Sequence, residues 1–323
     1  MSAREIKTKG ETNRIHIIEN LEFEKKLKYI NRNKLLYLML LPGLFMFLLF
    51  NYVPMYGIII AFKNFNFTKG IWGSEWNNFA SFKMLFTQER FAIVLFNSIY
   101  LSLLRIIFNF PVPILLALML NEIKNEGYKR ITQTLIYLPH FISWVIIGGI
   151  TINFLSITDG LINEVIKVLG FKPVAFMGDA TYFRPIIVLT NIWRDAGWGT
   201  IIYLAAITGI GPELYEAATI DGANRIQKMR YVTLPGIKST VVVLFIMAVG
   251  RIMGNGFEHI FVFQNSTNMN VSDVLETFAY RVGLTEMNFS FATAVGLFQS
   301  VVGVILVVIT NKLAKIMGER ALY

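Results

Sequence analysis

Residues 215–235 read Tyr-Glu-Ala-Ala-Thr-Ile-Asp-Gly-Ala-Asn-Arg-Ile-Gln-Lys-Met-Arg-Tyr-Val-Thr-Leu-Pro. This charged stretch lies between two long apolar runs of a 323-residue chain. Over the whole chain 54% of residues are apolar and 16% are charged, with a mean hydropathy of +0.54. A soluble domain is about half apolar and a quarter charged. The composition therefore indicates a membrane protein with several spans, in which 215–235 is a connecting loop.

Local signals within this loop predict two short helices. Gly211-Pro212-Glu213 indicates a helix start, because proline fits the first helical position and an acid favours the positive end of the helix dipole. We expect one helix at 212–220 and a second at 224–231. Asp221-Gly222 supplies the turn between them, since glycine adopts positive φ without steric cost. Pro235 is expected to open the following span.

The apolar runs predict an all-α, polytopic membrane protein. A hydrocarbon core of about 30 Å requires roughly 20 apolar residues in a helix. Six segments qualify, the fifth being short and extending back towards Pro235: Leu35–Phe62, Ala92–Leu120, Ile131–Phe154, Pro185–Ile210, Val241–Gly254 and Ala292–Met317.

The distribution of Lys and Arg predicts the orientation. The N-terminal 34 residues, the loops 121–130 and 211–240 and the C-terminal tail together contain 19 of them, against 8 in the alternating loops. Because basic loops remain cytoplasmic, both termini and the 215–235 loop are predicted to face the cytoplasm of a multi-pass cell-membrane protein. The predicted organisation is a cytoplasmic N-terminal arm at 1–34, a six-helix transmembrane domain at 35–317 that includes the loop 212–235, and a cytoplasmic tail at 318–323. The arm is either a solvated segment beside the headgroups or an amphipathic surface helix.

Several function classes are excluded by composition. The chain has no Cys, so it has no disulfide, thiolate metal site or Cys nucleophile. Its three His residues are far apart in sequence and show no ligand spacing, which predicts no metal site. Nothing in the sequence indicates a catalytic residue. The net charge of +9 is concentrated in the predicted cytoplasmic segments, which argues against a nucleic-acid partner and for contact with membrane lipid.

Polar residues inside the apolar runs are the candidates for a substrate path, because ionisable groups are costly in a membrane. Hydroxyl-rich glycans suit a cavity lined by Asn, Gln, Arg and aromatic rings. Alternative roles remain open: Arg194 and Asp195 as an internal ion pair, and Arg105 and Arg251 as partners of another subunit or parts of a gate. The predicted path residues are Trp193, Arg194, Trp198, Arg251, Asn255 and Gln299.

The 215–235 stretch resembles the cytoplasmic loop of the permease subunits of ABC importers. Its pattern is EAA, three residues, Gly, nine residues, then Ile-x-Leu-Pro, and Val232 replaces the Ile here. Further stretches are similar to the polysaccharide-permease (LplB-like) subgroup of the MalF/MalG-like sugar permeases. They are Val53-Pro54-Met55-Tyr56-Gly57-Ile58, Ala61-Phe62-Lys63, Leu120-Asn121-Glu122-Ile123, Tyr137-Leu138-Pro139-His140-Phe141-Ile142-Ser143-Trp144 and Trp198-Gly199-Thr200-Ile201-Ile202-Tyr203-Leu204-Ala205.

This resemblance implies the type I ABC importer permease fold and a set of partners. They are a second six-span permease, two ATPase subunits that bind ATP and Mg, an extracytoplasmic solute-binding protein and an oligosaccharide substrate. The chain lacks a Gly-x-x-x-x-Gly-Lys-Ser/Thr loop, so no nucleotide cofactor is expected in it. The resemblance implies that the residues of the EAA loop that couple to the ATPase are Glu216, Ala217, Ala218, Asp221, Gly222, Ala223, Leu234 and Pro235.

The interpretation is that this chain is one permease half of an importer of complex oligosaccharides or polysaccharide fragments. Two alternatives stay open at this point. One is a permease of the same family for another solute, such as glycerol phosphate or a small sugar. The other is a membrane sensor or channel that needs no ATPase.

Overall fold

The computed structural model of this chain describes residues 28–29 and 31–318. Most of the predicted N-terminal arm and all but the first residue of the predicted tail lie outside the described residues. The chain forms two compact units, one up to Ile59 and one from Ile60 onwards. The described part is overwhelmingly helical, as the apolar runs predict.

The first unit contains one long apolar helix. Helix α1 covers Lys34–Phe47 and continues through a π-helical turn at Leu48–Tyr52 and 3₁₀ turns at Val53–Phe62. Of Lys34–Phe47, no side chain is buried. A helix that is apolar on all faces is stable in water only when covered. Its 29-residue path is long and apolar enough to span a bilayer, in agreement with the predicted first span.

The second unit begins with a small hairpin and continues as a helical bundle. Strands β1 and β2 pair antiparallel, with Lys63 opposite Trp76. The strands and α-helices in chain order are β1 Lys63–Asn64, α2 Gly70–Gly73, β2 Glu75–Trp76, α3 Ala80–Thr87, α4 Glu89–Leu104, α5 Pro111–Asn121, α6 Glu126–Tyr137, α7 Trp144–Phe154, α8 Leu161–Val168, α9 Ala180–Thr208, α10 Pro212–Ile220, α11 Arg225–Lys228, α12 Leu234–Gly236, α13 Lys238–Gly250, α14 Phe257–Phe263, α15 Met269–Ser272, α16 Leu275–Tyr280 and α17 Phe289–Ile316.

Four other segments among the described residues are neither α-helix nor strand but continue or link the helices. They are π-helical turns at Arg105–Asn109, Met229–Thr233 and Arg281–Thr285 and a 3₁₀ turn at Leu138–Phe141. The first has an evident cause: Pro111 has no N–H for the carbonyl of Ile107, and the Phe110 N–H bonds instead to the Arg105 carbonyl at 3.1 Å. The bulge keeps α4 and α5 on one path, Glu89–Asn121, which matches the predicted second span.

The predicted spans agree with the structure to different degrees. Among the described residues, three helices are long and apolar enough to cross a membrane: Lys34–Phe62, Glu89–Asn121 and Phe289–Ile316. The fourth predicted span is the 29-residue helix α9, whose Arg and Asp residues lower its hydropathy. The prediction of six spans as such stays a prediction.

Two predicted spans are not single straight helices. The third, Ile131–Phe154, was predicted as one helix, and this is wrong: the chain bends by 98° between Phe141 and Trp144. Pro139 ends the first part, and Ser143 caps α7 by accepting from the Ile146 N–H. The predicted end of the fifth span is also wrong, because α13 stops at Gly250 and 251–256 is a loop.

Close helix contacts in the bundle rely on small residues. At Gly197 in α9, an added Cβ would lie 1.9 Å from the carbonyl oxygen of Ile136 in the last turn of α6. Only glycine allows the two backbones to approach this closely. Around them, the core is built from three clusters of buried apolar side chains, centred on Phe291, on Ile187 and on Ile237.

A charged cluster ties α4 to the connection before α17. Asp273 is fully buried and accepts from two arginines, Arg90 at 3.1 Å and Arg281 at 2.7 Å. The Arg90 guanidinium also donates to the Met269 carbonyl at 2.9 Å. Because two guanidinium groups share the negative charge of the Asp273 carboxylate, this acid is stable without contact with solvent.

Candidate functional site

The first helix of the 212–236 loop forms where the sequence predicts it. Helix α10 covers Pro212–Ile220, with proline at its first position and Glu213 in its first turn. Proline costs no backbone hydrogen bond at this position, because the first N–H groups of a helix have no intrahelical partner. The prediction of a helix at 212–220 is confirmed.

The turn after α10 is a Schellman motif that depends on one glycine. Gly222 has φ = +78°, which favours glycine over every L-residue. The Gly222 N–H donates to the Thr219 carbonyl at 3.0 Å, and the Ala223 N–H donates to the Ala218 carbonyl at 2.9 Å. These two bonds satisfy the last carbonyls of the helix. The expected turn at Asp221-Gly222 is confirmed, with Asp221 as the C-cap residue.

The second helix is longer than predicted. Asn224 and Gln227 form a reciprocal capping box at its start, with hydrogen bonds of 2.7 and 2.9 Å. The helical path then runs to Gly236, beyond the expected end at residue 231, and bends by 62° before α13. Leu234 and Pro235 lie in its last turn. The bend falls after Pro235, so the proline closes this helix rather than opening the next span.

Side-chain bonds join the two loop helices into one unit. The Tyr215 hydroxyl lies 3.0 Å from the Thr233 hydroxyl, and Thr233 is buried. Lys228 Nζ donates to Thr219 Oγ1 at 2.7 Å. These two bonds connect α10 to the helical path that ends at the bend before α13.

The outer surface of the loop combines exposed apolar and acidic side chains. Ile220 is 87% exposed and Ile226 is 74% exposed. Glu216 and Ala217 are exposed, whereas Ala218 and Ala223 are half-buried. Among the residues the structure describes, none pairs with the Glu216 carboxylate. Large aliphatic side chains beside an unpaired acid are typical of a surface that another protein covers.

A second group of functional candidates lies within the spans, where Asp195 connects α9 to the chain around the 98° bend. Its carboxylate lies 2.9 Å from His140 Nδ1 and 3.0 Å from Arg194 Nη1, and it accepts from Asn191 Nδ2 at 3.0 Å. The alternative of an Arg194–Asp195 ion pair is the one observed. Although adjacent helix positions do not face each other, the long guanidinium reaches sideways.

Arg194 is engaged by groups of this chain. Its Nε donates to the Ile142 carbonyl at 3.0 Å, and its guanidinium lies over the Trp144 ring at 4.6 Å. Trp198 stacks on His140 with centroids 4.6 Å apart, and its side chain is 47% exposed. Arg194 and Trp198 therefore both contact residues around the bend at 141–144, and their role in a substrate path stays a prediction.

A parallel network surrounds Arg105 in the π-helical turn. Arg105 Nη2 lies 2.9 Å from His259 Nδ1, and His259 Nε2 lies 2.9 Å from Thr190 Oγ1. The Arg105 guanidinium also donates to the Asn255 carbonyl. Asn255 is fully buried and its amide donates to the Ser98 carbonyl at 3.2 Å. Asn255 thus holds the 251–256 loop in place and is not exposed to a solute.

Arg251 differs from the other arginines of the spans. It is exposed, and among the described residues no side chain or carbonyl pairs with its guanidinium. It lies between two cavities, of about 260 and 740 Å³, and lines both. The larger cavity also contains Glu276, Ser300 and Gln299. Gln299 Nε2 donates to the Met253 carbonyl at 2.6 Å, which leaves its amide oxygen available.

The structure therefore divides the predicted path residues. Arg251 and Gln299 share the larger cavity, with Asn255 buried behind it. Trp193 lies elsewhere, in an apolar recess with Phe154. The sequence does not predict a role for His140, because the three His residues show no metal-ligand spacing. The stretch 137–144 that contains it is one of those similar to the polysaccharide-permease subgroup. The sequence also carries no signal for Glu276, whose carboxylate accepts from the Asn255 N–H at 3.2 Å.

No metal or catalytic arrangement is found in the part of the chain that the structure describes. There, no three His, Asp or Glu side chains come together as metal ligands do. The features present are a loop with exposed apolar and acidic side chains and polar cavities in a helical bundle.

Residues 109–319 match the family model described as "Binding-protein-dependent transport system inner membrane component". This chain belongs to that family. It is a multi-pass membrane permease subunit, and in such systems ATP hydrolysis is carried out by a separate subunit.

Curated relatives support the same family. The chain is 49% identical to the polygalacturonan/rhamnogalacturonan transport system permease protein YteP of Bacillus subtilis (strain 168), over 90% of this chain and 91% of the relative. It is 45% identical to Protein LplB of the same organism, over 91% and 92%. The resemblance inferred from the EAA loop and the flanking stretches is confirmed.

Solved structures show the same fold. A permease chain of a bacterial ABC transporter involved in the import of the acidic polysaccharide alginate superposes with a TM-score of 0.81 at 42% identity, over 90% of this chain and 98% of that one. A second structure, of the alginate transporter in complex with an alginate pentasaccharide-bound periplasmic protein, gives a TM-score of 0.82 at 41% identity. The predicted all-α ABC importer permease fold is confirmed.

Proposed function

We propose that this permease forms the membrane path for oligosaccharides cut from an acidic polysaccharide, and that Arg251 contacts the carboxylates of the substrate. The unpaired Arg251 guanidinium is the observation on which the proposal rests. An arginine without a counter-ion in a membrane protein is costly, and a carboxylate that arrives with the substrate removes that cost.

The larger cavity suits such a substrate in size and chemistry. Its volume of about 740 Å³ lies within the range of about 300–1,000 Å³ common for ligand sites. Gln299 and Ser300 offer hydrogen-bonding groups for hydroxyls. Two similar proteins, a polygalacturonan/rhamnogalacturonan permease and an alginate importer, are named for polysaccharides that contain uronic acids.

The assembly we propose is the one the resemblance implies: a second permease, two ATPases and a solute-binding protein. The exposed Ile220, Ile226 and Glu216 of the 212–236 loop form the contact with the ATPase. Closure of the ATPases moves α10, and the Tyr215–Thr233 bond passes that movement to the bend before α13. Since α13 leads directly into the Arg251 loop, loop movement and cavity opening are mechanically linked.

The experiment compares two forms of one substrate. The complex is reconstituted in proteoliposomes, and uptake of oligogalacturonides is measured with free carboxylates and with the carboxylates methyl-esterified. We expect the wild type to prefer the free acid, and Arg251→Gln to lose most of this preference, because a charged hydrogen bond is worth about 1.5–3 kcal/mol, or about 10- to 150-fold.

Ser300→Ala is the matched control, because it changes the same cavity without changing its charge. An Arg251→Gln complex that retains the wild-type preference for the free acid contradicts the assignment of Arg251. A wild type that transports a small sugar or glycerol phosphate and ignores both oligosaccharides supports the alternative solute instead.

A further inference from the structure

A groove between α4 and α9 is unexplained by the transport function. It has a volume of about 750 Å³, and its walls are almost entirely apolar. One wall contains Tyr100 and Leu104 of α4 and Phe108 of the π-helical turn that follows, and the other contains residues of α9 between Ala180 and Ile192. One charged side chain, Arg184, lies at the end of the groove nearest the start of α9.

The Arg184 guanidinium has incomplete hydrogen bonding. Its Nη2 donates to Asn97 Oδ1 at 3.1 Å, and its plane lies over the Tyr100 ring at 4.4 Å. Its Nε is buried and has no hydrogen-bond partner. Among the described residues, no carboxylate forms an ion pair with it. An acceptor with negative charge is therefore missing from this end of the groove.

The acids nearest in sequence and space are already engaged. Asp273 is shared by Arg90 and Arg281. Asp179 caps α9 by accepting from the Thr181 N–H at 2.8 Å, and this bond lowers the pKa of its carboxyl. Arg184 is the one charged side chain among the residues that line the groove, so this end of the groove carries a positive charge.

The groove is shorter than a full membrane span. On the α9 side its lining runs from Ala180 to Ile192, which is twelve residues or about 18 Å at 1.5 Å per residue, and on the other side from Tyr100 to Phe108, or about 12 Å. A hydrocarbon core is about 30 Å thick. An acyl chain of one leaflet needs about half of that thickness, whereas a spanning helix of a partner would need all of it.

We propose that this groove binds an anionic phospholipid, with one acyl chain along the apolar walls and the phosphate against Arg184. The phosphate supplies the missing acceptor, and Tyr100 and Thr181 flank it. By the predicted orientation the lipid belongs to the outer leaflet. The site is separate from the larger Arg251 cavity, in which the substrate is proposed to bind, because the two share no lining residue.

The test counts bound lipid. The full-length chain is purified in mild detergent with its accompanying subunits, and phosphatidylglycerol retained after delipidation is quantified by native mass spectrometry. We expect Arg184→Gln to lose one retained phosphatidylglycerol per chain and Arg184→Lys to keep part of it. Lys172→Gln is the control, because it removes an exposed positive charge outside the groove.

A second variant tests the apolar wall without touching the arginine. Leu189 is exposed and lines the groove, so Leu189→Trp fills it while Arg184 keeps its contacts. We expect the same loss of lipid, and a smaller rise in the unfolding temperature when phosphatidylglycerol is added; phosphatidylcholine should raise it little in any variant.

Three results would overturn the proposal. One is unchanged phosphatidylglycerol in Arg184→Gln and Leu189→Trp. Another is equal retention of phosphatidylcholine. The third is efficient disulfide cross-linking of Leu189→Cys to a cysteine placed in a second permease, since the groove would then be a protein interface. If Arg184→Gln fails to fold, the number of phosphatidylglycerol molecules that Leu189→Trp retains decides whether the proposal holds.

Discussion

Replacing Gly222 tests how the 212–236 loop transmits motion. The residue sits at φ = +78°, and a Cβ built on it meets no atom within 4 Å. The only cost of Gly222→Ala is therefore backbone strain, about 1–2 kcal/mol for an L-residue in this region. Asparagine adopts a left-handed backbone conformation more readily than alanine does, so Gly222→Asn adds a larger side chain with less backbone strain.

The strain translates into a weaker contact with the ATPase. The docked loop requires the Schellman turn, and a cost of about 1–2 kcal/mol lowers the affinity by about 5- to 30-fold. Gly222→Leu should show at least the effect of Gly222→Ala. Membrane insertion and expression should stay normal, because the turn is exposed and no core contact is lost.

The assay measures binding of the separate ATPase to the detergent-solubilised permeases, followed by uptake per ATP hydrolysed in proteoliposomes. Glu216→Ala is the companion variant. Its carboxylate has no partner among the described residues, so its loss should affect docking alone, by about 1.5–3 kcal/mol if it meets a basic group. Glu213→Ala removes an acid from the same helix as the control.

Two results would refute the reasoning. If Gly222→Ala and Gly222→Asn bind the ATPase as tightly as the wild type, the turn geometry does not determine docking. If Glu216→Ala and Glu213→Ala behave alike, the acid at 216 has no special role. If either result is accompanied by normal uptake, the exposed surface formed by Ile220 and Ile226 has no coupling function.

Two further predictions concern stability. Gly197→Ala places a Cβ 1.9 Å from the Ile136 carbonyl oxygen and should abolish stable folding. Gly149→Ala should be neutral, because the space around Gly149 is open. Fluorescence-detected size-exclusion chromatography distinguishes the two variants. Asp273→Asn leaves Arg90 and Arg281 facing a neutral amide and should lower the unfolding free energy by about 2–3 kcal/mol, less than for a fully buried pair because both arginines retain solvent contact. A shift in unfolding temperature no larger than that caused by breaking the exposed Lys69–Glu75 pair would contradict this.

The EAA loop and most of the spans were predictable because their signals are local. Pro212 at a helix start and Gly222 at a positive φ are requirements of the backbone itself. A run of about 20 apolar residues likewise indicates a membrane-spanning helix without reference to the rest of the chain. The extension of the second loop helix to Gly236 was missed, since a π-helical turn tolerates Pro235 in a helix that the sequence rules would end.

The tertiary structure decided which polar residues could serve a solute. Trp193, Arg194 and Arg251 all interrupt apolar runs, and nothing in the sequence ranks them. In the fold, Arg194 is engaged by Asp195 and the Ile142 carbonyl, and Trp193 lines an apolar recess. Arg251 lines a cavity with polar walls, and its guanidinium has no partner among the described residues.

Hydropathy and backbone requirements act over neighbouring residues, so the sequence alone was sufficient to indicate a helical membrane permease with two short helices in its EAA loop. The 98° bend at 141–144, the joining of His140 to Asp195 and the free guanidinium of Arg251 were decided by the tertiary structure. Each of these depends on residues brought together from distant parts of the chain. Pairing across such distances follows from how the helices pack, which no local pattern encodes.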